Sequence, residues 1–202
     1  MYIPHHYKNE DLEEVKAFIQ NNSFGILVNQ VDGKSWATHI PLELDKDENG
    51  EVILVSHMAK GNSQWKAFEK HPDVLCIFNG PHSYISSSWY KEEEVPTWDY
   101  IAVHVYGKVT ILSEQDVLAS MYKLVAKYEE KSKNPISLDD MSPKTLRQVK
   151  GVVGFKIEIT DIQAAYKLSQ TRPEDHAKII TELKDSKNPY SKAIAEQIKK
   201  NK

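Results

Sequence analysis

An aspartate–glycine pair at positions 32–33, set between two runs of β-forming residues, does most to limit how this chain can fold. A two-residue hairpin turn needs positive φ at both central positions, and Asp-Gly supplies it at little cost. Phe24 to Val31, an apolar β-rich run, precedes the pair. Ser35 to Leu44 follows, with Trp36, Thr38, Ile40 and Leu42 alternating onto one face. A polar loop, Asp45 to Gly50, leads to a third strand, Val52 to His57. Strands joined in sequence by short turns make a meander, which favours an antiparallel sheet.

Around this centre the pattern alternates between periods. Asp11 to Asn21 reads as an amphipathic helix with Leu12, Val15, Phe18 and Ile19 on one face and Asn9 as its cap. Lys60 to Lys70 reads as a short helix stopped by Pro72. Val74 to Phe78 reads as a buried strand ended by Gly80-Pro81, and Tyr84 to Tyr90 as a short strand or extended loop. Glu92-Glu93-Glu94 is a solvated loop tip. Thr97 to Leu112 is a long β segment with Gly107 as a bulge or bend. Ser113 caps a helix marked by Val117, Met121, Leu124, Val125 and Tyr128. A short helix around Lys144 to Val149 precedes a strand, Val152 to Ile162. Two helices follow near Pro173 and Pro189, and the tail Lys199 to Lys202 is expected to fray. Six or seven strands with few peripheral helices make a mainly β protein of α+β type, a small antiparallel β-barrel. The expected division is a barrel domain over 1–165 and a C-terminal helical appendage over 166–202.

The 202 residues carry a net charge of −3, so no global basic field is available to hold nucleic acid. The one cysteine, Cys76, excludes an internal disulfide and reads as a core residue, which fits a reducing cytoplasm. The N-terminus lacks the apolar stretch of a signal peptide, and no window approaches the roughly 20 apolar residues of a membrane span. The expectation is a soluble, cytoplasmic protein with no membrane partner. The eight histidines show no paired metal-ligand spacing, so no metal site is expected. A haem held by a single histidine would leave no spacing signature.

Short runs rich in Trp, His, Pro and Gly punctuate the strands: Ala37 to Pro41, His57 to Asn62, Phe78 to His82, Val95 to Trp98 and Lys167 to Gln170. Strand cores need none of these residue types, whereas a polar-aromatic pocket for a planar, anionic ligand does. Lys60-Gly61-Asn62 at a helix entry suits a phosphate, and equally suits an ordinary turn with a surface lysine. Thr38 and His39 alternate in direction, so at most one of them faces a given pocket. Trp89, Trp98 and Tyr100 could stack on a ring system or fill a core or interface. Lys167, Ser169 and Gln170 could contact phosphate or ring-edge atoms, or end a strand in solvent. No catalytic acid or base is legible; His39, His82 and Tyr84 are the nearest candidates.

Taken in order, these runs resemble the PaiB family of bacterial proteins. The resemblance is carried by Met1-Tyr2-Ile3-Pro4, Ala37 to Pro41, His57 to Trp65, Gly80 to Tyr90 with Ser88-Trp89-Tyr90, Val95 to Tyr100, Val152 to Phe155, and Lys167 to Gln170. It spans nearly the whole chain, with Gly61 and Ser63 standing where the family has bulkier residues or proline, and Thr171 where it often has Asn. It implies an antiparallel split β-barrel of the FMN-binding type, related to pyridoxamine-phosphate oxidases and flavin reductases. Such barrels form homodimers with FMN at the subunit interface. PaiB-type proteins are negative transcriptional regulators of sporulation and degradative-enzyme genes, and are partnered genetically with a polyamine acetyltransferase. Carried over, Lys60 and Asn62 would meet the FMN phosphate, helped by Thr38 or His39. His57 and Trp98 would line the pocket, and Lys167, Ser169 and Gln170 would complete it from the same or the other subunit.

Two functional classes follow from that resemblance: a flavin-binding repressor acting on DNA directly or through a partner, and a small FMN-dependent oxidoreductase. The regulator ranks first, without a legible DNA-binding motif. A haem-binding split barrel and a cofactor-free dimer are the remaining readings.

Overall fold

The computed structural model describes residues 1–200. A 3₁₀ turn at His5–Tyr7 opens the chain, followed by β1 (Lys8–Asn9) and α1 (Leu12–Asn21). Four strands come next: β2 (Phe24–Val31), β3 (Lys34–Pro41), β4 (Glu43–Lys46) and β5 (Val52–Ala59). A 3₁₀ helix, Ser63–Ala67, leads to β6 (Asp73–Ile85) and, after another at Ser87–Trp89, β7 (Thr97–Ile111). Then come α2 (Glu114–Glu129), α3 (Pro143–Leu146), β8 (Val152–Lys167), α4 (His176–Asp185) and α5 (Pro189–Lys200). Asn201 and Lys202, half of the tail expected to fray, lie outside the described residues. The fold is mainly β with peripheral helices, an antiparallel sheet ordered β3-β2-β6-β7-β8-β5-β4, with β1 paired to β8.

The hairpin forms as the Asp-Gly signal requires. Asp32 and Gly33 take φ of 50° and 74°, and Val31 pairs with Lys34. The meander stops there. The Leu42 N–H donates to Ser23 O at 2.8 Å, the last bond of the β2–β3 register, after which β4 and β5 form a separate hairpin whose second strand pairs with β8. Thus β3 and β4, adjacent in sequence, end at opposite edges of the strand order. Asp11, in place of Asn9, caps α1: its carboxylate accepts from Glu13 N and Glu14 N at 3.0 and 3.1 Å. Leu12, counted on the buried face, is exposed, while Val15 and Ile19 are fully covered.

Residues cluster into two compact units. One comprises Ile19–Ile77 and Val105–Ile162. Its core includes Leu27, Leu42, Leu54, Cys76 and Ile157, with the Phe68 and Phe155 rings edge-on at 5.2 Å. The other comprises Met1–Phe18, Phe78–His104 and the chain from Gln163 onward. Its core includes Phe78, Ile85, Ile101, Leu168, Ile179 and Ile194. There α5 meets β6 through a buried pair of hydroxyls, Ser83 and Ser191, at 2.9 Å.

Two glycines thought to break strands instead let atoms approach. Gly80-Pro81 does not end β6, which continues to Ile85. A Cβ on Gly80 would lie 2.7 Å from the Phe18 ring and 3.1 Å from Ile101. Gly107 makes no bulge; burial alternates without a break from Asp99 through Val109. A Cβ there would lie 2.4 Å from the backbone carbonyl oxygen of Glu158, which cannot swing aside. Gly107→Ala should therefore lose about 1–3 kcal/mol of stability. Gly61→Ala, whose Cβ meets nothing within 4 Å, serves as the control. Urea midpoints at constant m-value give the comparison.

Candidate functional site

The run His57 to Trp65 folds into a tight, internally bonded turn after β5. Lys60 N donates to Gly151 O at 2.9 Å, extending the β5–β8 ladder past the Ala59–Val152 pair. Trp65 Nε1 donates to Lys60 O at 3.1 Å. The Lys60 backbone is thus held on both sides while its side chain is exposed. Among the described residues its ammonium has no carboxylate partner. The expected Lys60–Lys70 helix is only a five-residue 3₁₀ helix, Ser63–Ala67. So short a segment has little dipole, and any preference of the turn for an anion rests on Lys60 itself.

Asn62 and Thr38, both expected at the site, are brought together. Asn62 Oδ1 accepts from Gln64 N at 3.1 Å, and Asn62 Nδ2 donates to Thr38 Oγ1 at 2.9 Å. Thr38 Oγ1 in turn donates to Gln64 Oε1. Gln64, fully buried, was not singled out from the sequence. Its Nε2 donates to Asn29 Oδ1 at 3.0 Å and to Leu27 O and Trp36 O at 3.3 Å. The only hint was its place inside the His57–Trp65 run.

His39 and His57 sit apart from this network. His39 is exposed, its ring 6.5 Å from Phe24, on the opposite face of β3 from Thr38. His57 is half-buried, and burial holds its imidazole below the usual range, favouring the neutral form. It lines a cavity of about 120 Å³ with Lys123 and Lys127, which pair at 2.5 Å with Asp45 and Glu43.

The other expected residues belong to the second unit. Strand β8 runs to Lys167, five residues beyond the expected Ile162, so Lys167, Ser169 and Gln170 form its terminal turn. Lys167 Nζ donates to Thr97 Oγ1 and lies 5.7 Å from the Tyr7 ring centre. Gln170 folds back on its own turn, accepting from Leu168 N at 2.7 Å and donating to Tyr166 O. Ser169 takes φ of 56°, donates to Asp99 Oδ2 at 2.6 Å, and its carbonyl oxygen lies 2.8 Å from His176 Nε2. Asp99 is completely buried, and its Oδ1 has no partner among the described residues. Burial outweighs the Ser169 hydrogen bond and the nearby Lys167, pushing the Asp99 carboxyl up to about 6. Trp98 is 54% exposed, its ring 6.0 Å from those of Tyr84 and His82, and His82 is 5.0 Å from Tyr190. Arg172 lies 4.4 Å over Tyr90 and pairs with Glu94 at 2.5 Å. Among the described residues no His, Cys, Asp and Glu group is placed to hold a metal ion.

Two tests follow. Gln64→Ala leaves the Thr38 hydroxyl and the Leu27 and Trp36 carbonyls without their buried partner, and should cost about 1–3 kcal/mol in a denaturation experiment. For Asp99, burial pushes the folded-state carboxyl up to about 6 from the ordinary aspartate value of 3.8. The fold therefore prefers the protonated form. The penalty is absent below the unfolded value, develops as pH rises between the two, and is complete above the folded one. Stability should thus fall by an amount on the order of 3 kcal/mol between about pH 4 and 6. Asp99→Asn should remove that slope and raise the urea midpoint at pH 7.5.

The chain matches the family described as "Putative FMN-binding domain" over residues 1–161. It is 48% identical to "Protease synthase and sporulation protein PAI 2" of Bacillus subtilis, over 97% of this chain and 95% of that protein. An uncharacterized protein of Saccharomyces cerevisiae is 29% identical over 66% of this chain and 92% of its own length. Among solved structures, the flavocytochrome Anf3 of Azotobacter vinelandii superposes with a TM-score of 0.65 at 15% identity, covering 86% of this chain and 76% of that one. The FAD and heme binding protein of Mycobacterium smegmatis gives 0.63 at 11% identity, covering 85% and 79%. These two likenesses place the fold among the split barrels. With its strand order, its ordered 60–64 turn and a near-full-length relative at 48% identity, the chain belongs to the PaiB family of FMN-binding-domain proteins.

Proposed function

We propose that this protein is a flavin-binding negative transcriptional regulator of the PaiB type, acting on sporulation and degradative-enzyme genes from the cytoplasm as a homodimer with FMN as its ligand. Residues 1–165 would form the flavin-binding part, in line with the family match over 1–161, and 166–202 an appendage whose described residues pack in one unit with Met1–Phe18 and Phe78–His104. The observation that carries the reading is the Lys60 ammonium, without a carboxylate partner among the described residues, on a turn ordered by Asn62, Thr38 and Gln64. The donor chemistry suits a phosphate: Lys60 is uncommitted, and Asn62 Nδ2 has a second proton beyond the one given to Thr38. We assign Lys60 and Asn62 to the phosphate, with Thr38 or His39 beside it and His57 as a nearby contact of the same unit. Trp98, Lys167, Ser169 and Gln170, in the other unit, are proposed as ring-stacking and polar contacts supplied by this chain or a second copy. A bound flavin would bring hydride or one-electron chemistry, and the protein its orientation.

The regulatory part is supported by the relative named for sporulation and protease synthesis. Lys178 pairs with Glu182 and Lys184 with Glu196, so two lysines of α4 are partly neutralised. This favours regulation through ligand state or a partner over a basic DNA-binding face. Exposed aromatic side chains, Phe24 and Trp36 in one unit and separately Tyr84 and Trp98 in the other, support burial against a second copy.

FMN should bind saturably in a visible-absorption titration, and Lys60→Ala should weaken it about 10- to 100-fold, the loss of one charge-assisted contact. Riboflavin, lacking the phosphate, should be nearly indifferent to the same change. A flat FMN titration, or equal losses for both flavins, would overturn the assignment.

A further inference from the structure

In the unit that carries Lys60, a second cavity of about 310 Å³ opens beneath α2, against the end of β7 and the start of β8. Its volume falls at the lower end of the small-molecule range. Its walls are branched aliphatic groups, among them Leu118, Leu146, Val149 and Val153. Tyr122 is its one aromatic, and that hydroxyl already donates to Asp139 at 2.9 Å. Gly154 lets α2 seat directly on β8, since a Cβ there would lie 2.4 Å from Val117 Cγ2. Lys60 and Lys150 line the same cavity on neighbouring backbone segments, joined through Lys60 N and Gly151 O. Among the described residues neither ammonium has a carboxylate partner. Among the described residues, Glu114 is the one acid lining it.

We propose that this cavity is a binding site for a medium-chain acyl carboxylate, an amphipathic monoanion. The aliphatic walls bury the chain, and Lys60 and Lys150 hold the head. Two cations against one acid leave an excess of a single positive charge, which suits a carboxylate better than a dianionic phosphate. Walls that are mainly branched aliphatic suit a flexible chain better than a planar ring. The site shares Lys60 with the flavin reading, so the two ligands would compete for that ammonium, and goes beyond it through Lys150, Leu118 and Glu114.

Octanoate and decanoate titrated calorimetrically into the full chain provide the test. The expected result is saturable binding of one acid per chain, with decanoate tighter by about tenfold, from a gain of about three- to fourfold per buried methylene. Lys150→Glu should weaken octanoate at least tenfold and Glu114→Gln should tighten it. Leu118→Trp, at a position 38% exposed and thus tolerant of size, should fill the cavity and abolish binding. Absence of saturable binding, affinity independent of chain length, or indifference to Lys150→Glu and Leu118→Trp would each overturn the proposal. FMN titrated into Leu118→Trp separates the two readings. Retained flavin binding with lost octanoate binding supports a distinct acyl site, and proportional loss of both overturns it by giving the cavity to the flavin. Octanoate binding in a protein that ignores FMN supports the acyl site while the flavin reading fails.

Discussion

The buried side-chain amide of Gln64 ties the turn after β5 to the β2–β3 hairpin. It satisfies main-chain oxygens of β2 and β3, the side chain of Asn29 and the hydroxyl of Thr38, all away from water. An unpaired amide at full burial would cost more than the bonds return, so the arrangement is close to all-or-none. Its main chain is capped by Asn62, which also reaches Thr38. The turn that presents Lys60 is therefore tied to the hairpin by side chains as well as by the β5–β8 ladder.

A similar economy operates in the other unit. Asp99 accepts the Ser169 hydroxyl and thereby braces a terminal turn whose serine takes positive φ. Placing a carboxylate at full burial is unfavourable, and the raised Asp99 titration reports that cost. The polar residues of Lys167 to Gln170 are thus bound up with ending β8, through Thr97, Asp99 and the main chain of Tyr166. Of these, Lys167 keeps a charged head that a single hydroxyl only partly satisfies.

Local signals were most legible where a backbone requirement is carried by one or two residues. Asp32-Gly33 specified the hairpin, Ser113 the start of α2, and Pro173 and Pro189 the last helices, because turn and cap geometry depends on short-range sterics and hydrogen bonds. Gly80 and Gly107 misled because glycine marks both a break in a strand and a close approach to one, and only the neighbour distinguishes them. The Lys60–Lys70 segment misled because Trp65 and Phe68, three apart, fit a 3₁₀ turn as well as an α-helix. At the candidate site, Thr38 and Asn62 were found through the family's runs. Gln64 and Asp99 were passed over, since burial is what turns an ordinary amide or carboxylate into a structural centre.

The amino-acid sequence by itself determined the family, the mainly β class, the hairpin and the short polar runs, since each rests on residues near one another along the chain. Tertiary structure alone decided that β3 and β4 part to opposite edges of the strand order, that Lys60 has no carboxylate partner among the described residues while Lys167 has Thr97, and that Lys60 and Lys150 line one largely apolar cavity. Those facts depend on which distant segments meet, and long-range pairing is set by the burial of whole faces, which no local pattern encodes.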